Sequence, residues 1–119
     1  MAAMVVLCTT PSEEVAAQIA RTLIDERLAA CVNIVPRVRS IYRWQGAIQD
    51  DSESLLVIKT AAERTDDLLR RLPALHPYTV PEGIALPVGT GLRPYLDWLA
   101  GETAADAGEI CAPTCTRSG

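Results

Sequence analysis

The sequence predicts an α+β fold in which two strand–helix–strand units share one sheet. Two apolar runs, residues 4–8 and 55–58, are each followed at once by a helix-start signature, Thr10-Pro11-Ser12-Glu13 and Thr60-Ala61-Ala62-Glu63. Continuous apolar runs are typical of buried strands. A hydroxyl residue with a glutamate three positions later is typical of a helix start. Strand–helix–strand twice over predicts a ferredoxin-like βαββαβ fold, a mainly antiparallel sheet with both helices on one face.

The first half of the chain combines one helix with a long hairpin. Val15, Ile19 and Leu23 recur at helical spacing and predict one buried stripe. Residues 31–44 alternate between apolar and arginine positions, which predicts a strand, and Pro36 predicts a bulge or a sheet edge within it. Gln45-Gly46 then predicts a turn, and residues 54–59 predict the returning strand.

The second half predicts a helix ending near Leu75, a strand over residues 83–88 and a short helix over residues 92–99. From Gly101 the composition shifts to Gly, Ala, Thr, Ser and acidic residues, so we expect one domain over residues 1–100 and a flexible tail over residues 101–119. Cys111 and Cys115 in this tail have a spacing that suits a soft metal. No second pair and no nearby histidine supports a closed four-ligand site there.

Composition excludes several classes of protein. Fifteen acidic against eleven basic residues give a net charge of −4, which argues against a nucleic-acid binder that depends on phosphate contacts. No apolar run approaches the roughly 20 residues of a membrane span, so we expect no membrane insertion. Cys8 and Cys31 lie in apolar runs as free thiols rather than in a disulfide framework. We therefore expect a cytoplasmic protein.

The sheet has more apolar surface than one chain can cover. In the runs at 4–8 and 55–58, both odd and even positions are apolar, so both faces of these strands present apolar side chains. Two helices cover only one face of a four-stranded sheet. We expect another copy of the chain to supply the remaining cover, with the hairpin through Tyr42, Trp44 and Gly46 as the contacting arm.

Candidate functional residues centre on the segment His76-Pro77-Tyr78-Thr79-Val80-Pro81-Glu82, which holds the single histidine. Its two prolines fix φ and predict a stiff, extended connection between helix and strand. A histidine, a tyrosine and a carboxylate on such a backbone suit a small site, because few rotamers are frozen on binding. The same features also suit a structural crossover.

Three further positions carry chemistry, and each has a structural alternative. Cys8 precedes a helix N-terminus, where its thiol pKa would fall, but a buried cysteine in a core slot is the more common case. Glu82 is either a ligand or an exposed charge. Lys59 either binds a ligand or extends its amine to water from the end of an apolar strand.

Six segments in order resemble the CutA family, which is named for divalent cation tolerance and related in fold to the PII signalling proteins. The resemblance runs from about Val5 to Leu99. The segments are Val5-Val6-Leu7-Cys8-Thr9-Thr10-Pro11, Leu28-Ala29-Ala30-Cys31-Val32-Asn33, Tyr42-Arg43-Trp44-Gln45-Gly46, Leu56-Val57-Ile58-Lys59-Thr60, His76-Pro77-Tyr78-Thr79-Val80-Pro81-Glu82 and Tyr95-Leu96-Asp97-Trp98-Leu99.

The resemblance implies a tight homotrimer in which hairpins of neighbouring subunits join shared sheets, and a role in the response to divalent metals, most often copper. Cys8 and His76 match the family's copper-contacting residues, and Glu82 matches a carboxylate proposed beside them. Lys59, Tyr78 and Trp44 match residues near a cleft between subunits, which we expect to bind a cofactor or ligand. Leu75 stands where some members have a second histidine.

Three other functions remain as alternatives. A PII-like sensor would bind an anionic metabolite between subunits through Lys59, the hairpin arginines and Tyr78. An enzyme would use Cys8 as nucleophile, His76 as base and Glu82 as orienting group. We do not expect catalysis, because the sequence contains no recognised catalytic signature. A trimeric scaffold for an unidentified partner is the third alternative.

Overall fold

The computed structural model describes residues 2–104 and has the predicted ferredoxin-like architecture. Its four-stranded sheet has the order β2-β3-β1-β4, and all neighbouring strands are antiparallel. The elements in chain order are β1 Ala3–Thr10, α1 Glu13–Asp25, β2 Cys31–Trp44, β3 Ala47–Ala61, α2 Ala62–Leu75, β4 Ile84–Pro87 and α3 Arg93–Thr103. No helix in residues 2–104 has the length and apolar character needed to cross a membrane.

The main core lies between one face of the sheet and the two long helices. Val6 and Cys8 of β1 and Leu56 and Ile58 of β3 point to this face, and all four are fully buried. Leu23 of α1 and Leu68 of α2 pack onto them from the apolar stripes of their helices. Every second side chain of the strands and the apolar stripe of each helix therefore pack together in one core layer.

Both long helices begin later than predicted, because the threonines predicted as caps have other partners. Ser12 caps α1, since its Oγ accepts a hydrogen bond from the Val15 N–H at 3.2 Å. Thr10 Oγ1 instead donates to the carbonyl of Ser12 at 3.0 Å. The cap of α2 is Ala61, without a side-chain bond, while Thr60 Oγ1 donates to the Leu28 carbonyl at 2.7 Å. Both threonines are fully buried, and their hydroxyls bond to carbonyls instead of capping the helices.

The hairpin forms as predicted and is longer than its apolar pattern indicated. β2 matches the predicted residues 31–44, and the strand register shifts between Val35 and Val38, which confirms the bulge at Pro36. Gln45 and Gly46 have φ of 51° and 81°, as a tight hairpin turn requires. The returning strand β3 extends over Ala47–Ala61 rather than residues 54–59. Residues 36–53, which we call the arm, extend past the helices and contribute to a longest dimension of 51 Å.

The opposite face of the sheet is only partly covered. α3 packs over one end of it, where Leu99 contacts Ala3 and Ala61. Further along this face Ile84 and Leu86 of β4 are 53% and 47% exposed. An apolar sheet face with this much exposed surface is typical of a surface that binds a partner.

The C-terminal elements differ slightly from their predicted bounds. β4 is Ile84–Pro87, shorter than the predicted residues 83–88. α3 continues to Thr103, so the first residues of the predicted tail form its last turn, and Thr103 is fully buried. The rest of the predicted tail, including Cys111 and Cys115, lies outside the described residues.

Candidate functional site

A cleft of about 720 Å³ lies between the His76–Glu82 connection and the arm. Pro77, Tyr78 and Val80 line it on one side, and Tyr42 and Trp44 line it on the other. The cleft therefore lies between a proline-restricted connection and the hairpin arm.

His76 anchors the connection to the end of β1. Its Nε2 lies 2.8 Å from the carbonyl oxygen of Thr9, and its Nδ1 lies 3.1 Å from the backbone nitrogen of Tyr78. A carbonyl only accepts and an N–H only donates, so the ring is neutral with its proton on Nε2. Both ring nitrogens therefore have partners, and His76 is 8% exposed.

Two tyrosine–carboxylate pairs stand at the cleft. The Tyr78 hydroxyl donates to Glu53 Oε2 at 2.7 Å, and the Tyr42 hydroxyl donates to Asp51 Oδ2 at 2.6 Å. The hydrogen bond to Asp51 raises the pKa of Tyr42 to about 12. Desolvation and then the bond to Glu53 raise the pKa of Tyr78 above its usual range. Both phenols thus stay protonated as donors at neutral pH.

Cys8 occupies the core position that its structural alternative predicted. It is fully buried among Val6, Leu56 and Ile58, and its Sγ is 3.6 Å from the Thr9 carbonyl. Burial, followed by the negative charges of Glu82 and Glu53, raises the pKa of the Cys8 thiol to about 12. The predicted lowering of this pKa by the helix N-terminus is wrong, because desolvation outweighs it. α1 also begins five residues later, at Glu13.

The three predicted metal ligands lie around the same end of β1 without forming a preformed site. His76 bonds to Thr9, next to Cys8, and the charge of Glu82 acts on the Cys8 thiol. Sulfur, imidazole nitrogen and carboxylate oxygen are ligands that copper accepts. Within residues 2–104, however, no group of three His, Cys, Asp or Glu side chains is placed to hold a metal ion.

The predicted ligand-contacting residues separate into two groups. Tyr78 and Trp44 line the cleft, as does Glu82. Lys59 pairs with Val5 and Cys31 in the sheet, which places it on the face opposite the helices, and it does not line the cleft.

The charge of the cleft is opposite to the one that an anionic ligand needs. Its charged lining residues are Glu53 and Glu82, and within the described chain no lysine or arginine lines it. Of the hairpin arginines, Arg39 is held by Asp50 through two hydrogen bonds of 2.9 and 2.7 Å.

The sequence analysis missed Glu53 as a site residue. It follows Asp50-Asp51-Ser52 in a polar run that resembles a solvated turn, yet it is only 7% exposed. Its partner Tyr78 comes from a connection 25 residues away in sequence, so no local pattern indicated the contact.

Comparisons with known proteins identify the family of this chain. The family model described as CutA1 divalent ion tolerance protein matches residues 4–102. The Divalent-cation tolerance protein CutA of Thermus thermophilus is 60% identical over 99 residues, which cover 83% of this chain and 96% of that protein. Protein CutA of Mus musculus is 50% identical over 91 residues, and the match covers 76% of this chain and about half (51%) of that longer protein.

Solved structures show the same fold. The crystal structure of CutA1 from Oryza sativa has 45% sequence identity and a TM-score of 0.85, with 87% of this chain and 95% of that chain covered. The chain belongs to the CutA1 divalent ion tolerance family.

Proposed function

We propose that this protein acts in the tolerance of divalent cations as a homotrimer that binds copper. The match to the family model over residues 4–102 supports the role in divalent cation tolerance. The trimer and the copper are what the resemblance to the family implies. The proposed role is non-catalytic. The proposed location is the cytoplasm, where reducing conditions keep thiols such as Cys8 and Cys31 free.

The distribution of apolar surface supports assembly. Ile84 and Leu86 are about half exposed on the open sheet face, and Ile41 and Ile48 on the arm are 63% and 69% exposed. Burying such side chains contributes about 25 cal/mol per Å² of apolar surface. A second and a third copy would remove both regions from water through one repeated contact.

Light scattering on the full chain tests the trimer. At low micromolar concentration we expect roughly three times the chain mass of 12.8 kDa. A stable, folded species at a single chain mass would contradict the proposed assembly.

For copper, we propose Cys8, His76 and Glu82 as ligands of weak affinity. The donor types fit, but binding must displace the thiol proton of Cys8 and one hydrogen bond of His76, either to Thr9 or from Tyr78. Each displaced partner subtracts from the binding free energy. Because the thiol must lose its proton, affinity should rise as pH increases.

Titration of Cu(I), Cu(II) and Zn(II), followed by calorimetry, tests these ligands. Cys8→Ser and His76→Ala should each weaken copper binding by at least about tenfold, as expected for loss of one ligand. Cys31→Ser is the matched control, because it removes a free thiol outside the proposed set. Wild-type affinity in both test variants would exclude these residues as ligands.

A second candidate function is the binding of a small molecule in the cleft, as in a sensor. The specific support is a cavity of about 720 Å³ that has Tyr78 and Trp44 in its walls. Small-molecule sites typically measure roughly 300–1,000 Å³ and combine aromatic walls with a few polar groups.

A further inference from the structure

We propose that the cleft is a contact between subunits, in which Arg43 of one chain pairs with the partner subunit's Glu53. This inference rests on the proposed trimer, and it names the residues that form its repeated contact. A second copy of the chain, rather than one chain alone, would then complete the cleft.

The arm has two different faces. Side chains alternate between the faces of a strand, so Arg43 and Ile41 lie on the opposite face of β2 from Tyr42 and Trp44. Ile48 is paired with Arg43 across the hairpin and shares its face. We call the face with Arg43 the outer face, and the other face carries the aromatic residues that line the cleft.

The outer face combines exposed apolar surface with a positive charge. Ile41 and Ile48 are 63% and 69% exposed, and Arg43 lies exposed beside them. The Arg43 guanidinium donates to the Gly46 carbonyl at 3.5 Å, and among residues 2–104 no ion pair includes it. Arginine is enriched in protein interfaces, and the buried centre of an interface is largely apolar. This face therefore suits contact with another protein surface.

The cleft has the complementary charge. Glu53 lines it and is 7% exposed, and the bond from the Tyr78 hydroxyl brings no positive charge to the carboxylate. Buried carboxylates are normally paired with a cation, because desolvation of an uncompensated charge is costly. In the described part of the chain, neither Glu53 nor Glu82 has such a pair. An arginine would supply the missing charge and could also stack on the Trp44 ring.

One chain cannot make this pair by itself. Arg43 lies on the outer face, whereas Glu53 faces the cleft. Ile48, the residue opposite Arg43, is five positions before Glu53 in β3, which separates the two backbones by roughly 17 Å. The pairing therefore requires a second copy. Contact between two different surfaces of the same chain is head-to-tail, and such contacts form a closed ring when the rotation between copies closes.

The position of the cleft agrees with the same contact. Glu82 lines the cleft and precedes Ile84 by two residues, and Ile84 is 53% exposed on the open sheet face. An arm that occupied the cleft of a neighbouring subunit would therefore also lie next to this end of the open face. A single repeated contact would then cover apolar surface on both the arm and the sheet.

A double-mutant cycle on the full-length protein tests the pair. Light scattering over a dilution series gives the concentration at which half of the trimer dissociates. Arg43→Gln and Glu53→Gln should each raise this concentration by about 10- to 100-fold, as expected for loss of a charged hydrogen bond. The double variant should dissociate at about the same concentration as either single variant, because both changes remove the same pair.

Arg39→Gln is the matched control. Arg39 lies on the outer face as well, but Asp50 of its own chain already binds it through two hydrogen bonds. This variant should raise the dissociation concentration by less than about threefold, as for an exposed ion pair, and its effect should multiply with that of Glu53→Gln.

Arg43→Glu provides a second test if Glu53→Gln does not fold. Its new carboxylate would meet the partner subunit's Glu53 and the partner subunit's Glu82. Because like charges in an interface repel, it should raise the dissociation concentration at least about tenfold more than Arg43→Gln does. Circular dichroism confirms that each variant is folded.

The outcomes separate this inference from the proposed trimer. A trimer of Arg43→Gln as stable as that of the wild type overturns the inference and leaves the trimer. Effects of Arg43→Gln and Glu53→Gln that multiply in the double variant also overturn it, and so does equal dissociation of Arg43→Glu and Arg43→Gln. A wild-type protein that stays monomeric at every concentration overturns both the inference and the trimer.

Discussion

Strands β2 and β3 run through both the helix-covered end of the sheet and the arm, yet their side chains are buried very differently in the two regions. Leu56 and Ile58 of β3 are fully buried under the helices, whereas Ile41 and Ile48 on the arm are 63% and 69% exposed. The two long helices cover the first end, whereas among residues 2–104 these two isoleucines of the arm have no such cover. A two-stranded hairpin is marginally stable at best on its own in water. The proposed contact with other copies would supply the layer that the arm lacks.

Within the chain, the arm is held by the backbone ladder between β2 and β3 and by polar side-chain pairs across it. Arg39 and Asp50 form a bidentate pair, and Tyr42 bonds to Asp51. Exposed pairs of this kind contribute little to stability, because water competes for both partners. The covered end should therefore determine the stability of the fold, and the arm should determine assembly and ligand recognition.

The largest expected effect is at the covered end. Leu56→Ala removes a fully buried side chain and leaves a cavity, which typically lowers the free energy of unfolding by about 2–5 kcal/mol. Urea denaturation at fixed chain concentration measures it. Leu92→Ala is the control, since Leu92 is 79% exposed and should change this free energy by less than about 0.5 kcal/mol. Equal effects in the two variants would contradict the assignment of stability to the covered end.

A charge on the arm should affect assembly rather than folding. Trp44→Glu should weaken trimer formation by about 2 kcal/mol, roughly 30-fold in concentration, as for a central interface aromatic residue. Ile24→Glu is closely matched, because Ile24 and Trp44 are both 41% exposed, but Ile24 lies on α1. Sedimentation or light scattering over a dilution series measures the difference. Equal loss of trimer in both variants would contradict the proposal that the arm forms the contact between subunits.

An intermediate effect is expected at the start of α1. Ser12→Ala removes the side-chain cap on the Val15 N–H and should lower the free energy of unfolding by about 1 kcal/mol. Thermal unfolding measures this change. Ser12→Asn is the control, because it keeps a side-chain oxygen that can accept from the Val15 N–H, and it should change this free energy by less than about 0.5 kcal/mol. An equal loss of stability in both variants would contradict the capping role of Ser12.

The smallest effect on stability at neutral pH is expected from Asp51→Asn on the arm. Because Asp51 raises the pKa of Tyr42 to about 12, the variant should bring this pKa back toward its ordinary value of 10.0. Because the pKa of Tyr42 is higher in the folded state, the protonated phenol stabilises the fold at pH values below 10. This stabilisation is lost as the pH rises through 12.

Alkaline titration of tyrosinate absorbance measures this shift. The titration curve of Asp51→Asn should begin at lower pH than that of the wild type. Asp50→Asn is the matched control, since Asp50 bonds to Arg39 rather than to a tyrosine. Identical titration curves for the wild type and Asp51→Asn would show that the hydrogen bond is not maintained in solution.

Local patterns predicted most of the fold. The strand over residues 31–44, the bulge at Pro36, the Gln45-Gly46 turn and the end of α2 at Leu75 all match the structure. Each depends on neighbours in sequence, through side-chain alternation, helical periodicity or the restricted φ of proline. Such signals do not require knowledge of what packs against them.

Hydroxyl partners were decided by tertiary structure instead. Thr10 and Thr60 have the sequence context of helix caps. In the fold, Thr10 Oγ1 faces the Ser12 carbonyl at 3.0 Å and the Ser54 carbonyl of β3 at 3.4 Å, and Thr60 Oγ1 donates to the Leu28 carbonyl. A buried hydroxyl must find an acceptor wherever the fold provides one. This requirement outweighed the local capping preference.

The same division holds for the site. The sequence alone determined that His76, Tyr78 and Glu82 lie on a stiff connection, because prolines fix the backbone there regardless of context. Only the tertiary structure decided that His76 uses both ring nitrogens for hydrogen bonds, that Cys8 lies in the core and that Glu53 comes to face Tyr78. These contacts join residues 25 or 67 positions apart. Hydrogen bonds, burial and charge act through space, so they form only after the sheet and its helices have brought distant segments together.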